Sequence, residues 1–187
     1  MKQRNFLFFV LLVSMLLLCS TFVFGLKWAL GPSPNGTYDD WQSMGCSSGS
    51  LEYTCVQTYG GGFLFANISG MNETFPFPDF NLSIMNGTIP NYTIHNITVF
   101  NYGKKSNSTV VAQISPLFVS NGSEFVDSAF IGFLNIWDYR QATFDINPFT
   151  GNAWTAQEFN DLEVGMQSSE NNTGTNIGNL FIMVDYN

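Results

Sequence analysis

The chain reads as an all-β protein, an antiparallel β-sandwich with one short helix near its C-terminus, preceded by an apolar N-terminal signal or anchor helix. Three observations predict this. Short runs rich in Val, Ile, Phe, Tyr and Thr recur between clusters of Gly, Pro, Asn and Ser, which is the pattern of a sandwich or barrel. One sequence, Thr155 followed three residues later by Glu158, has the form of a capping box and marks a clean helix start. Lys2 and Arg4 precede an uncharged run from Asn5 to Leu26, the layout of a secretory signal cleaved after Gly25. That run is also long enough to span a bilayer, which takes about 20 apolar residues. Uncleaved, residues 1–25 would be a membrane anchor with the rest of the chain outside.

Taken in order, residues 26–40 form an extended segment and residues 41–187 one sandwich domain. If subunits exchange strands, Leu26 to Asp40 is the expected donor. Strands are expected at Leu51 to Tyr59, Phe63 to Ile68, Phe80 to Ile84, Tyr92 to Tyr102 and Ser108 to Ser115. Further ones are expected at Ala129 to Ile136, Trp137 to Ile146, Glu163 to Gln167 and Asn179 to Tyr186. In the last, Leu180, Ile182, Val184 and Tyr186 share one face by the two-residue period of a strand. Gly103 to Asn107 should turn the chain between two paired strands, and Gly60-Gly61-Gly62 marks another reversal. Near the end, Trp154 precedes the cap and can staple onto Phe159. With Thr155 and Glu158 these residues form a structural clasp between two strands. Trp137, Phe144, Trp154, Phe159 and Phe181 are expected in the core.

Ten Asn-X-Ser/Thr acceptors crowd the chain: Asn35, Asn67, Asn72, Asn81, Asn86, Asn91, Asn96, Asn107, Asn121 and Asn171. Random placement of 20 Asn and 31 Ser plus Thr would give about three. The excess points to a coat of N-glycans, hence to an exported protein. Cys19 lies inside the apolar run, leaving Cys46 and Cys55 as a disulfide pair in an oxidising compartment; two free buried thiols are the alternative. A zinc site is excluded because His95 is the only histidine and two cysteines do not complete a tetrahedral shell. No metal and no cofactor are expected. From Leu26 onward four basic residues, Lys27, Lys104, Lys105 and Arg140, face 14 acidic ones. Such a surface repels phosphate backbones, which excludes nucleic acid as a partner.

Enzymatic chemistry finds little to stand on. A Ser-His-acid triad would have to use His95, in a strand beside an acceptor asparagine. Glu158, Asp161 and Glu163 are neighbouring acids, but a glycosidase needs two carboxyls facing each other across a cleft. Asp39 and Asp40 with nearby loop carbonyls could hold calcium, but a solvated acidic turn is the better reading. No catalytic residue is assigned. Trp41, Tyr53, Tyr59, Phe75, Phe77 and Trp137 include candidates for an exposed ring that stacks on sugars.

The stretch Asn147 to Gly165, with its Asn-Pro-Phe-Thr-Gly turn, Trp154-Thr155, and Asn160-Asp161-Leu162-Glu163-Val164-Gly165, resembles a segment of β-sandwich structural proteins of tailed phages and other viruses. Thr93 to Val99, Trp137 to Pro148 and Leu180 to Tyr186 are similar to further parts of such proteins. The resemblance implies a jelly-roll-like sandwich in a virion or surface appendage, without catalysis. The signal-like N-terminus, the cysteine pair and the acceptors depart from most phage members. The expectation is therefore a non-catalytic, heavily N-glycosylated extracellular structural protein at a cell or virion surface, partnered by itself or by other surface or virion proteins. The alternative is a carbohydrate-binding adhesion module, with glycans as partners. A membrane is a partner only if residues 1–25 stay attached.

Overall fold

A computed structural model describes residues 26–33, 36–46, 52–57, 62–78 and 93–187. The apolar N-terminus, the strand expected at Phe80 to Ile84, Tyr59, and the acceptors Asn35, Asn81, Asn86 and Asn91 lie outside the described residues. In chain order the elements are β1 (Leu26–Leu30), β2 (Gln42–Met44), α1 (Glu52–Gln57), β3 (Phe63–Ala66), β4 (Asn72–Pro76) and β5 (Ile94–Lys105). There follow β6 (Gln113–Ser120), β7 (Ser123–Val126), β8 (Ile131–Gly132), β9 (Asp138–Phe144), α2 (Ala156–Asn160), β10 (Leu162–Ser168) and β11 (Thr175–Tyr186).

All described strand pairs are antiparallel and fall into two sheets. The first runs β2-β3-β11-β5-β9, with β1 beside the C-terminal half of β11; the second runs β4-β10-β6-β7, with β8 on β6. Between them Ile97, Val99, Leu180, Ile182 and Val184 of the first sheet meet Phe75, Ile114, Phe118, Val164 and Met166 of the second, all essentially inaccessible. The expected alternation of β11 holds: Leu180, Ile182, Val184 and Tyr186 are buried while Phe181, Met183 and Asp185 are half-exposed. Each such burial stabilises the fold by about 1.5–3 kcal/mol for a large aliphatic side chain.

Several expected strands are corrected. Leu51 to Tyr59 is not a strand, because Glu52–Gln57 is a helix. Its β-prone residues are overruled by tertiary fit: Cys55 and Val56 are fully buried, and the Asn179 amide on β11 donates to the Val56 carbonyl at 2.9 Å. Gly103 to Asn107 does not join paired strands, since β5 continues to Lys105 and β6 belongs to the opposite sheet. The strand expected at Ser108 to Ser115 starts only at Gln113 and runs on through Pro116. That proline fits because its carbonyl accepts from Asp127 N at 2.9 Å, so its nitrogen points to the same side, away from β10. Ala129 to Ile136 shrinks to the two-residue β8. The strand Trp137 to Ile146 is present as β9.

The extended N-terminal segment is used within its own chain. β1 pairs with β11 from Leu26↔Tyr186 to Leu30↔Ile182. Beyond it the backbone changes sheets and runs along β4, with Ser33 N to Pro76 O at 2.9 Å and Asp40 N to Asn72 O at 3.0 Å. The expected donor strand thus fills an edge of its own molecule.

Candidate functional site

The register of the first sheet decides which side chains face solvent. Phe181 and Phe100 stand opposite each other on β11 and β5, and one step along, Tyr102 and Tyr139 continue the row beside Asn179, which α1 covers. The rings form a continuous band. Phe100 stacks on Phe181 at 4.7 Å, Tyr102 stacks on Trp137 at 5.2 Å and meets Tyr139 at 4.6 Å, and Phe63 lies edge-on to Trp137 at 6.2 Å. Lys104 Nζ sits 5.1 Å from the Trp137 ring, a cation–π geometry. Such rows stabilise a sheet through cross-strand pairs and also leave ring edges open to solvent. Trp137 and Phe181, expected inside, are therefore half-buried members of this outer band, while Phe144 packs at the margin of the core and Trp154 and Phe159 lie within it.

Of the described rings proposed for a sugar platform, only Trp137 joins the band. Trp41, Phe75 and Phe77 are buried, and Tyr53 packs against the core. Trp41 is held there by its indole N–H, which donates to Met71 O at 3.1 Å.

On the opposite sheet lies a cavity of ≈ 380 Å³, lined among others by Ser115, Asp127, Phe130, Gln167 and Glu170. Phe130 is 55% exposed at its rim. Gln167 is oriented by donating its amide to Asn72 Oδ1 at 2.9 Å. A free ring face beside carboxylates, an amide and hydroxyls is the equipment that holds a polar ring-shaped ligand. Sequence reasoning missed this pocket. Its lining comes from four separate stretches of the chain, around Gly70, Ser115, Phe130 and Ser168, and no local pattern joins them.

The acids named from sequence are occupied structurally. Glu163 accepts from Thr37 N at 2.6 Å, Thr37 Oγ1 at 2.9 Å and Thr74 Oγ1 at 2.7 Å. Asp161 accepts from Gln157 Nε2 at 3.0 Å. Asp40 accepts from Asn72 N at 2.9 Å, and the backbone of Asp39 forms a β-bridge with that of Glu73. His95 is exposed on β5. Among the described residues no three His, Cys, Asp or Glu side chains gather into a group able to hold a metal ion.

The clasp forms as the capping pattern requires. Glu158 N donates to Thr155 Oγ1 at 3.2 Å, and the Glu158 carboxylate accepts from Thr155 N at 2.9 Å. The Trp154 indole donates to Phe144 O at 3.0 Å, tying the helix to the end of β9. Cys46 and Cys55 are joined by a disulfide with Cα atoms 5.5 Å apart. Of the described acceptors, Asn67, Asn107, Asn121 and Asn171 are exposed, and Asn72 and Asn96 are half-buried on strands.

No family model matches the chain, and no curated protein matches it. Solved structures of similar architecture exist. The CBM22-1 xylan-binding domain of Paenibacillus barcinonensis Xyn10C is 11% identical, with 86% of this chain and 95% of that one covered and a TM-score of 0.43. A carbohydrate-binding module of Cellvibrio mixtus lichenase 5A is 12% identical over 84% of this chain and 95% of that one, with a TM-score of 0.41. The enzymatically active domain of bacteriophage CBA120 tailspike protein 4 is 12% identical over 86% of this chain but 19% of its own, with a TM-score of 0.38. No site residue is carried over from these likenesses.

Proposed function

We propose that the chain is an exported, N-glycosylated, non-catalytic sandwich that serves as a structural subunit of a virion surface or of a cell-surface appendage or filament. The observation that carries this reading is the placement of the acceptors: every described acceptor asparagine reaches solvent, and none lies in the interior. A glycan needs such a position, because its bulk and hydroxyls have no place in a packed core. The Cys46–Cys55 disulfide supports an oxidising compartment. The resemblance of Asn147 to Gly165 to virion structural proteins supports the structural role. Intact-mass measurement of the protein recovered from its source, before and after enzymatic glycan removal, tests the first half. Electron microscopy of shed surface material tests the second. Several glycans and a repeated assembly are the expected results; an unmodified chain that stays monomeric at high concentration overturns the reading.

A second reading, a carbohydrate-binding adhesion module, is favoured by the cavity beside Phe130. A glycan array should then show binding that Phe130→Ala weakens at least tenfold. An array blank with and without calcium removes this reading and leaves the first intact.

A further inference from the structure

We propose that the corner formed by the β8–β9 loop and the edge strand β9 is the face by which one copy of this chain docks, head to tail, on the next. The inference rests on the structural-subunit reading above and specifies its partner.

Four observations converge on this corner. Of the large apolar side chains that stand exposed among the described residues, most fall in one short stretch: Phe130 at 55%, Leu134 at 53%, Ile136 at 66%, Tyr139 at 46% and Ile146 at 56%. A soluble surface rarely gathers so much apolar area without a use for it. β9 is the edge of its sheet, paired only with β5 among the described strands. Among the described residues no strand pairs with its outer backbone groups, and no proline or lysine within Asp138–Phe144 guards it. No acceptor occurs between Asn121 and Asn171, so neither β9 nor the β8–β9 loop carries one itself, while Asn96 and Asn107 lie on and just beyond the neighbouring β5.

Charge selects the occupant. Three of the four basic residues after Leu26 lie here: Lys104 over Trp137, Lys105 with its N–H on the Leu134 carbonyl at 2.8 Å, and Arg140 on β9 with its guanidinium 3.0 Å from Asp138. Asp138 and Asp145 offset part of this charge, while the other twelve acids lie elsewhere in the chain with Lys27 as their one basic counterweight after Leu26. A second copy therefore offers a complementary acidic surface to this corner. A two-fold interface would set the lysines of both copies against each other, whereas a head-to-tail contact pairs the basic corner with acidic surface. Heterologous contacts of that kind propagate into rings or filaments.

The test uses the full glycosylated protein as secreted, followed by sedimentation and electron microscopy. Two double variants disable the corner: Leu134→Glu with Ile136→Glu, and Leu134→Asn with Ile136→Thr, which creates an Asn-X-Thr acceptor and plants a glycan there. Both positions are exposed, so melting temperatures should stay near the native value, and Met44→Glu, exposed on β2 at the opposite edge of the sheet from β9, serves as control. Native protein and control should assemble, while both double variants remain monomeric at tenfold higher concentration. Assembly of the folded double variants at native concentrations would overturn the corner while leaving the structural-subunit reading standing. A native protein that never assembles would overturn both.

Discussion

At Gly165 the strands β10 and β4 run so close that a Cβ would stand 1.8 Å from the Glu73 carbonyl oxygen. The neighbour is backbone inside a paired ladder, Gly165↔Thr74, so it cannot step aside without parting the strands. Gly165→Ala should therefore cost about 2–3 kcal/mol of stability, the scale of an overpacked core, read as a lower urea midpoint. Asn101 poses the opposite problem. It is fully buried on the inner face of β5, and neither its amide nitrogen nor its amide oxygen has a hydrogen-bond partner. Across the pair, Arg140 Nε is buried and unpartnered as well. Because an unmatched buried polar group is costly, Asn101→Val should raise stability by about 1 kcal/mol. A loss of stability instead would show that an internal water satisfies the amide.

Among the elements, the clasp is one whose local chemistry alone defines it. Burial works to raise the Glu158 pKa, but hydrogen bonds from the Thr155 hydroxyl and backbone, with Asn147 and Thr150, outweigh it and hold the carboxyl below its ordinary value. A group depressed in the folded state contributes stability that is complete above its unfolded pKa and is lost as pH falls through the lowered one. The stability gap between the native protein and Glu158→Gln should accordingly narrow on acidification; a gap that stays constant would remove Glu158 from the cap's energetics. Thr155→Ala, which deletes the cap at any pH, should cost about 1 kcal/mol by thermal melting. The β6–β7 hairpin was equally open to local reading. Asn121 and Gly122 adopt φ 49° and 75°, the left-handed pair of a two-residue hairpin turn, and Ser120 pairs with Ser123. Its Asn-Gly signature was overshadowed because the same asparagine is a glycan acceptor.

For the molecule as a whole, the Cys46–Cys55 bridge fastens the chain after β2 to α1, which lies against β11 and β3. Closing so short a loop should stabilise the fold by about 2–3 kcal/mol, so the Cys46→Ser, Cys55→Ser double variant should melt several degrees lower. A bridge-free protein of unchanged melting temperature would show that packing of Val56 alone holds the helix. The sheet order that places the aromatic band, the Phe130 cavity and the β9 corner is a property of this level only.

Features with a local physical signature were readable from the chain itself: the strand class, the buried face of β11, the capping box and the cysteine pairing. A two-residue period, a cap sequence or a nine-residue spacing states its preference within a few peptide units. What the tertiary structure alone decided was non-local: that Glu52–Gln57 coils against Asn179, that β5 and β6 part into different sheets, and that Trp137 and Phe181 turn outward. The reason is physical. Alternation says that a strand has two faces, but which face is covered depends on which distant strand pairs beside it and which sheet lies opposite.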